Sequence, residues 1–541
     1  MILGGELSNS AATSVYDINE VLPRMKALGL NTVLVPVYWE FLEPVENQMD
    51  FTLVDCIIDV ARQQGLKIVP LWFGAWKNSM SCYAPAWLKR DVKRFPRAVT
   101  KEGKPLEIAS CFSDNVLQAD LKAFSALMRH IAEKDPQREV VIMMQIENEI
   151  GMLESARDHS PLAVKAYRQP VPQALLKALG LKKNGTWSEV FGTDDYADEK
   201  FMAWHYACYV EHLAKAARQI HDMPLYVNAA MNSRGRKPGE YPSAGPLAHL
   251  ADVWKAGAPS IDILAPDIYD TGFKLWASQY AMPLRPQDGG KLKNRLFIPE
   301  SRCCENSGVR ALYAFGEHQA LGFSPFAIDQ ASPQEMESVA QAYHLLRQVN
   351  SLTSHHSSLT TYGLLFDQDD KERIIDDEGV VMTCRHYFTL PWDSRATDGS
   401  TWPEGGAMLI RLGKYDYLLV GSGVVVDFMT RTEKQQSQQK KLCEDGFAEA
   451  GATTVNGQSS ALPKDACYPL GSAASLVEER DARMFKGSRL GLLSVDEVTI
   501  DHQGQMQYLR RHNGDQSHQG RHARISVGDW KILHIQIYEY K

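Results

Sequence analysis

The sequence predicts an α/β protein, in which a (β/α)8 barrel is followed by a smaller β-rich domain. Through the first 330 residues, short runs rich in Val, Ile and Leu alternate with longer stretches of 3.6-residue apolar spacing. Eight such β/α units match a barrel with insertions. After about residue 360 the pattern changes to strand-like runs separated by Gly, Asp and Asn turns. We therefore expect a barrel over residues 1–350 and a β-sandwich-like accessory domain over residues 360–541.

The eight apolar runs read as strands that are buried on both faces, as in a parallel sheet. The predicted strands are 2–7, 32–38, 67–72, 140–145, 225–228, 261–265, 295–298 and 324–328. The helices predicted between them include 17–28, 53–64, 116–133 and 201–221. Gly29 and Gly65 stand where helix C-caps belong, each just before a new strand.

An open, doubly wound sheet is the competing architecture for the first 330 residues. Such a sheet usually carries a Gly-rich phosphate turn after its first strand. The stretch Gly4-Gly5-Glu6-Leu7-Ser8 does not continue into GxGxxG, so the sequence holds no dinucleotide fingerprint at this position. This difference favours the barrel.

Two segments depart from the regular alternation. The polar insert near 151–198 follows the fourth strand, and we expect it to form a lid or a wall on the face of the barrel where strands end. In the second domain, predicted strands cover 407–412, 417–426, 490–500 and 530–538. The polar segment 434–471, which contains QQSQQKK, predicts a loop or an irregular excursion.

Composition excludes several classes of protein. The net charge is −8 and the pI about 6.1, which gives no basic surface for nucleic acid. No run of 18 apolar residues is present, so we expect no membrane span. Nine scattered cysteines without CxxC argue against structural zinc and a disulfide scaffold. The chain reads as cytoplasmic as written, and as periplasmic if a signal peptide has been removed; a homo-oligomer is left open.

Polar and aromatic side chains collect at the predicted strand ends, where barrel enzymes place their chemistry. Aromatic rings stack on the C–H faces of a pyranose, while carboxylates and amides bind its hydroxyls, so the pattern is typical of a sugar site. In strand order, the ends carry Glu6 and Asn9, then Tyr38, Trp39 and Glu40, then Trp72, Trp76 and Asn78, then Glu147, Asn148 and Glu149, then Asn228, then Asp267 and Tyr269, then Glu300 and finally Asp329.

Glu149 and Glu300 are the candidate reacting pair, because each follows a buried strand at the same end of the barrel. Glycoside hydrolysis needs one carboxyl group that is protonated and one that is ionised. Glu147 is a rival to Glu149: in extended chain, residues two apart point to the same face. Its charge would then help to keep Glu149 protonated. Spacing alone leaves the choice of acid open.

Several stretches resemble the β-galactosidases of glycoside hydrolase family 35. They are QIENEIG, LGGELSNS, LNTVLVPVYWEFLEP, LWFGAWKNSMSCYAPAW and IPESR. The likeness runs through most of residues 1–350, and the C-terminal part is similar to the accessory domain of bacterial members.

The resemblance implies roles for four residues. Glu149 would be the acid/base, Glu300 the nucleophile and Asn148 a hydrogen-bond partner of the sugar 2-hydroxyl. Glu147 would bind the sugar or tune a pKa. The resemblance also implies net retention of configuration, with the two carboxyl groups about 5–5.5 Å apart.

Weaker candidates complete the predicted site. Tyr269 is a plausible donor to the Glu300 carboxylate, with core packing as the alternative. One or two of the three tryptophans Trp39, Trp72 and Trp76 are expected to line a sugar platform. Asn78, Asn228 and Glu6 are candidate hydroxyl ligands. We expect no metal and no cofactor: Asp267 and Asp270 resemble a metal pair only in composition, and no metal-binding motif is present.

The function expected from the sequence is that of a retaining exo-β-galactosidase acting on an oligo- or polysaccharide β-galactoside. Another retaining β-glycosidase, such as a β-glucosidase or β-glucosaminidase, is the alternative within enzymes. A carbohydrate-binding protein without catalysis is the alternative from another class. Binding alone needs neither an acid nor a nucleophile, so the presence of both Glu149 and Glu300 argues against it.

Overall fold

The computed structural model describes residues 1–232, 235–281, 294–355, 359–390, 393–436, 487–513 and 522–541. The chain forms two compact units, Met1–Leu346 and Arg347–Lys541. The boundary expected at residue 350 falls within the helix Pro333–His355.

The first unit contains a closed barrel, which confirms the predicted fold class. The strands of this unit, in chain order, are β1 (Ile2–Glu6), β2 (Thr32–Tyr38), β3 (Lys67–Phe73), β4 (Arg97–Val99), β5 (Pro105–Ala109), β6 (Met144–Gln145), β7 (Leu225–Ala230), β8 (Ile263–Ile268), β9 (Phe297–Ser301) and β10 (Gly322–Pro325). The barrel order is β1-β10-β9-β8-β7-β6-β3-β2, with parallel pairing throughout, while β4 and β5 form a separate antiparallel pair.

Helices lie between the strands of the first unit, and the last one follows β10. They are α1 (Val15–Ala27), α2 (Trp39–Leu42), α3 (Thr52–Gln64), α4 (Ala86–Arg90), α5 (Asp114–Lys134), α6 (Pro161–Tyr167), α7 (Gln173–Ala178), α8 (Trp187–Phe191), α9 (Asp195–Ile220), α10 (Ala251–Gly257), α11 (Phe273–Ala281), α12 (Ser307–His318) and α13 (Pro333–His355). The insert after the fourth barrel strand thus carries three short helices, α6 to α8. Gly65 closes α3 in the left-handed conformation, φ 63°, as its predicted C-cap position requires.

The fourth barrel strand is shorter than the apolar run predicts. Residues 140–143 keep isolated contacts to β3, such as the bridge between Ile68 and Val141, and regular pairing is confined to Met144–Gln145. The sixth barrel strand, β8, also begins later than predicted, at Ile263, and runs on to Ile268, so that Asp267 lies within the strand. Apolar content marks burial but does not mark where the ladder of backbone hydrogen bonds begins and ends.

The second unit is a two-sheet structure. Its strands are β11 (Thr360–Phe366), β12 (Glu372–Asp377), β13 (Val380–His386), β14 (Gly405–Gly413), β15 (Asp416–Ser422), β16 (Val424–Thr430), β17 (Arg489–Ile500), β18 (Met506–Arg511), β19 (His522–Ile525) and β20 (Lys531–Tyr540). One sheet has the order β11-β14-β15-β20-β17-β18 and the other β12-β13-β16-β19. Buried side chains from both sheets, among them Leu409, Leu419, Met382 and Val426, form one core.

The strand predicted over 417–426 is two strands in different sheets. Gly423 separates β15 from β16 in a left-handed conformation, φ 74°, and an added Cβ would lie 2.9 Å from Gly405 Cα. The chain therefore crosses between the sheets at a residue that only glycine fits without strain. The predicted excursion 434–471 lies outside the described residues from 437 onward.

Among the described residues, no helix has both the length and the apolar character needed to cross a membrane.

Candidate active site

The segment that follows β6 carries the candidate carboxyl groups in an unusual backbone conformation. Glu147 and Glu149 both adopt left-handed conformations, with φ of 57° and 47°. Non-glycine residues rarely do so, and clusters of them occur where the surrounding structure holds a functional segment under strain. The expectation of an extended chain, with both carboxyl groups on one face, is therefore wrong.

Asn228 on β7 and Ser79 in the turn after β3 hold the backbone of Glu149. Its N–H donates to Asn228 Oδ1 at 2.9 Å, and its carbonyl accepts from Ser79 N at 3.0 Å and Ser79 Oγ at 2.9 Å. The Asn148 N–H donates to the Trp76 carbonyl at 3.2 Å. These contacts fix the segment without the regular pairing of a strand.

Glu149 and Glu300 come together with Asp267 at the C-terminal end of the barrel. One carboxyl oxygen from each of the three lies within 4.8 Å of the others, and all three side chains are buried. Glu300 stands on β9 and Asp267 pairs with it in register from β8. The Tyr269 hydroxyl donates to Glu300 Oε1 at 2.5 Å, which favours the predicted donor role over core packing.

Two further charged groups surround this cluster. Glu6, from the end of β1, is fully buried and lies close enough to Glu300 for their carboxyl groups to share a proton. The Lys77 side chain, just beyond β3, is 3 % exposed, and its Nζ lies 5.0 Å from the centroid of the Phe73 ring. Lys77 thus supplies one buried positive charge to four carboxyl groups.

The environment raises the pKa of several of these groups. Burial, followed by the charge of Glu300, raises the pKa of Glu149 to about 7, which suits a group that must be protonated near neutral pH. Burial and Glu300 also raise the pKa of Asp267 and Glu6 well above the usual range. For Lys77, burial favours the neutral amine, but the attraction of the carboxylates outweighs it and raises the pKa.

Glu147 belongs to a different cluster, behind the site. Its Oε2 accepts from Trp76 N at 2.8 Å, and its carboxyl group lies against that of Asp120 on α5. Burial and Asp120 raise the pKa of Glu147 well above the usual range. Glu147 therefore does not raise the pKa of Glu149 as predicted; burial and Glu300 do. Nor is it part of the cluster of Glu149, Asp267 and Glu300, because its partners are the Trp76 N–H and Asp120 on α5.

The tryptophans do not form a platform. Trp39, Trp72 and Trp76 are all fully buried. Trp39 Nε1 donates to Glu43 at 3.0 Å and Trp72 Nε1 donates to Asp120 at 2.9 Å, so the prediction of a platform role is wrong for these two. Trp76 packs edge-on against Tyr206 and Tyr209, and this contact gives it a place in the wall of the barrel rather than on an open surface.

The candidate amides divide into three environments. Asn148 is fully buried, and within the described chain neither Oδ1 nor Nδ2 has a hydrogen-bond partner. Asn228 instead bridges the Glu149 N–H and Asp267 Oδ2, to which its Nδ2 donates at 2.7 Å, so its predicted use as a hydroxyl ligand is corrected to a structural one. Asn78 is exposed in a turn with φ 51°, outside the cluster of carboxyl groups.

Sequence reasoning missed Lys77, Asp120 and the role of Asp267. Lys77 follows the apolar strand β3, and Asp267 lies near the end of the apolar strand β8. A charged residue at such a place was the signal in the sequence that could have identified them. Asp120 interrupts the apolar face of α5, between the buried Val116 and Phe124. An acidic residue at core spacing on a helix needs a partner, and the partner here is Glu147.

Among the described residues, one group of carboxyl oxygens lies close enough together to hold a metal ion. It belongs to Glu149, Asp267 and Glu300. Lys77 already brings a positive charge to the same carboxylates. The expectation of no metal and no cofactor stays a prediction.

The fold and the site together define a class: a (β/α)8 barrel with a close pair of buried carboxyl groups at its strand ends, as in glycoside hydrolases. Comparison with known proteins agrees at this level. The sequence profile of glycoside hydrolase family 42, described as β-galactosidase, matches residues 13–223. The profile of a domain of unknown function, DUF5597, matches residues 339–524.

Individual relatives match over limited lengths. A β-galactosidase of Xanthomonas manihotis is 30% identical over 151 residues, which make up 26% of this chain and 22% of that protein. The chain thus matches less than a quarter of this relative's length. Among solved structures, a β-galactosidase of the psychrophilic Marinomonas ef1 has 14% identity and a TM-score of 0.46, covering 66% of this chain and 60% of its own. A β-galactosidase of Halorubrum lacusprofundi has 18% identity and a TM-score of 0.46, covering 64% and 58%.

The profile match over residues 13–223 corrects the family number given by the sequence resemblance. The profile that matches is that of family 42 and not that of family 35, although both descriptions concern β-galactosidases. The motifs quoted above surround strand ends, where barrel glycosidases need similar residues. Such motifs separate related families poorly.

Proposed function

We propose that the protein is a retaining exo-β-galactosidase that releases terminal β-galactosyl residues by double displacement. The observation that carries this proposal is the separation of Glu149 and Glu300, whose nearest oxygens lie within 4.8 Å. Retaining enzymes hold their carboxyl groups about 5–5.5 Å apart, whereas inverting enzymes need about 6.5–9.5 Å to admit a water molecule.

In the first step Glu149 protonates the departing glycosidic oxygen while Glu300 attacks the anomeric carbon. In the second step Glu149, now ionised, takes a proton from water as the water oxygen displaces Glu300. The raised pKa of Glu149, about 7, suits the first role, and the Tyr269 hydroxyl orients the nucleophile. Asn148 binds the 2-hydroxyl, which would give its buried amide the partners that the protein does not supply.

The choice of galactose follows the family profile over residues 13–223 and not a contact within the site. The test is release of p-nitrophenol from a panel of aryl α- and β-glycosides by the wild type and by Glu300→Gln. We expect turnover of the β-galactoside, with loss of activity in the variant of at least about a thousandfold. The anomer formed first, observed by NMR, should be β.

Other results would change the proposal in separate ways. Preference for a β-glucoside or a β-glucosaminide would keep the mechanism and replace the substrate. An α-product formed first would refute retention. Binding of galactosides without turnover of any member of the panel would identify a carbohydrate-binding protein. Glu337→Gln, at an exposed position on α13, is the matched control and should keep full activity.

A further inference from the structure

A third buried carboxyl group shares the site with the two that double displacement requires. Asp267 is 1 % exposed and has an oxygen within 4.8 Å of oxygens of both Glu149 and Glu300. Three carboxylates without protons at this separation would repel one another strongly in a buried site. At least one proton must therefore be held within the group.

Asn228 ties Asp267 specifically to Glu149. Its side chain accepts from the Glu149 N–H at 2.9 Å and donates to Asp267 Oδ2 at 2.7 Å, so one amide joins the two residues. The carboxyl groups of Glu149 and Asp267 are also within hydrogen-bonding reach of each other. Asp267 Oδ1 is buried, and in the described chain no donor N–H or hydroxyl group reaches it. A carboxyl group beside it can hydrogen-bond to it only through a shared proton.

We propose that Asp267 is a positioning residue for the acid/base: its carboxyl group shares one proton with Glu149 and, through Asn228, holds that side chain beside Glu300. This inference rests on the proposed function, since it assigns Glu149 the acid/base role.

The shared proton fits both halves of double displacement. When Glu149 protonates the leaving oxygen, its own O–H bond breaks and the Glu149–Asp267 pair is left as two adjacent carboxylates. Lys77 partly offsets this charge, and the remaining repulsion makes the pair a stronger base. In the second step an O–H bond of water breaks, its proton returns to the pair, and the water oxygen bonds to the anomeric carbon as Glu300 leaves.

The pH dependence of the pair follows from the titratable groups that, in the described part of the chain, interact with it electrostatically. They are Glu6 from β1, Lys77 after β3, Tyr226 from β7, Tyr269 after β8, Glu300 from β9 and Tyr280 from α11. Among them, Glu6 and Glu300 favour retention of the proton and Lys77 favours its release. The hydrogen bond between the two carboxyl groups lowers the pKa of Glu149 and raises that of Asp267, so the two groups titrate as a pair, and the last proton leaves the pair at a higher pH than it would leave a single carboxyl group.

The experiment replaces Asp267 by Asn, which keeps the acceptor for Asn228 but cannot hold an exchangeable acid proton. We expect the basic limb of the kcat/KM profile to shift down by about one pH unit or more. Galactosides with poor leaving groups, such as methyl β-galactoside, should lose more activity than nitrophenyl galactosides, because only the poor leaving groups need full protonation. Equal losses on both substrates with an unmoved basic limb, or a change in KM alone, would overturn the proposal.

Controls separate this outcome from misfolding and from failure of the proposed function. Asp270→Asn makes the same change three residues further on, where the carboxylate accepts from Gly272 N, and should leave the basic limb in place. Asp267→Ser is the second variant if Asp267→Asn does not fold, and it should shift the limb in the same direction.

An infrared titration of the carboxylic acid C=O bands needs no substrate. If the wild type hydrolyses no glycoside, the proposed function fails, but this titration still decides the sharing of the proton. Loss of one acid band in Asp267→Asn, with a lower midpoint for the band that remains, supports the proposal. Unchanged midpoints overturn it.

Discussion

The Tyr269 hydroxyl donates a 2.5 Å hydrogen bond to Oε1 of Glu300. Tyr269 follows β8 and Glu300 lies on β9, so two adjacent strands place donor and acceptor face to face. Burial and the Glu300 charge raise the pKa of Tyr269, which keeps the hydroxyl protonated at any working pH. The Tyr269 hydroxyl therefore remains a hydrogen-bond donor, and it orients the Glu300 carboxylate.

Removal of this hydroxyl should slow the chemical step. A hydrogen bond to a charged group contributes about 1.5–3 kcal/mol, so Tyr269→Phe should lower kcat/KM by about ten- to a hundredfold. The measurement is steady-state kinetics on the aryl β-galactoside, with Tyr508→Phe as a control, because Tyr508 is exposed in the second unit. Full activity of Tyr269→Phe would show that the contact serves packing alone.

Substitution of Glu149 should affect substrates according to their leaving groups. Without the acid, alkyl galactosides need unassisted departure of a poor leaving group and should slow by about 10²–10⁴-fold. Nitrophenyl galactosides should form the galactosyl-enzyme readily and then stall, because no base activates water. Added azide, which needs no base, should restore turnover of Glu149→Ala and give a galactosyl azide that NMR can identify.

The wild-type pH profile provides a second measurement on Glu149. The acid must be protonated for the first step, so activity should fall as pH rises through about 7, the value to which burial and Glu300 raise its pKa. A flat profile between pH 6 and 9 on a substrate with a poor leaving group would contradict this assignment.

The strand-end residues that form the site were predictable because parallel strands deliver their ends to one rim. Glu6, Glu149, Tyr269 and Glu300 therefore come together at one end of the barrel, as the sequence predicts, while the place of Asn148 in the site stays a prediction. Their directions were not predictable, since two left-handed residues interrupt the extended chain at Glu147 and Glu149. One consequence is that Glu147 faces α5 and not the barrel mouth.

The tryptophans show a second limit to what the sequence predicts about the site. From the sequence, core burial is the likelier place for any one of them, with one or two of the three expected on a sugar platform; for Trp39 and Trp72, the partners of the indole N–H groups decide for the core. Glu43, four residues after Trp39, and Asp120, on a helix 48 residues after Trp72, supply those partners. Spacing could have suggested the first contact, whereas the second depends on tertiary packing.

Gly74 should tolerate no side chain, because β3 ends against a crowded wall. An added Cβ would lie 2.2 Å from Trp72 Nε1 and 2.7 Å from Glu147 Oε1. Gly74→Ala should therefore lower the free energy of unfolding of the barrel by about 1–3 kcal/mol, measured by urea denaturation with tryptophan fluorescence. Gly413→Ala is the control, since its added Cβ would meet an ordinary 3.6 Å contact. Equal stability of the two variants would contradict this description of the wall.

The carboxyl pair of Asp120 and Glu147 should make the barrel less stable as pH rises. Burial raises the pKa of both groups in the folded state. Their contribution is therefore fully present below the unfolded pKa values, about 4, and is lost as pH rises toward the folded values, because the unfolded chain releases protons that the folded chain retains. Asp120→Asn removes one titrating group and should make the fall in unfolding free energy between pH 5 and 8 shallower, by up to about 1.4 kcal/mol per pH unit.

Urea denaturation at a series of pH values measures this difference. Asp120 accepts from Trp72 Nε1 at 2.9 Å and from the Tyr209 hydroxyl at 2.8 Å, and an amide can keep only one of these acceptors in place while its NH₂ faces Glu147. Asp120→Asn should therefore be less stable than the wild type at pH 5, where the wild-type pair keeps its proton, and should approach it as pH rises. Asp222→Asn, at an exposed surface position, controls for the loss of a carboxylate. Parallel curves for the wild type and Asp120→Asn would mean that the pair holds no proton in the folded protein.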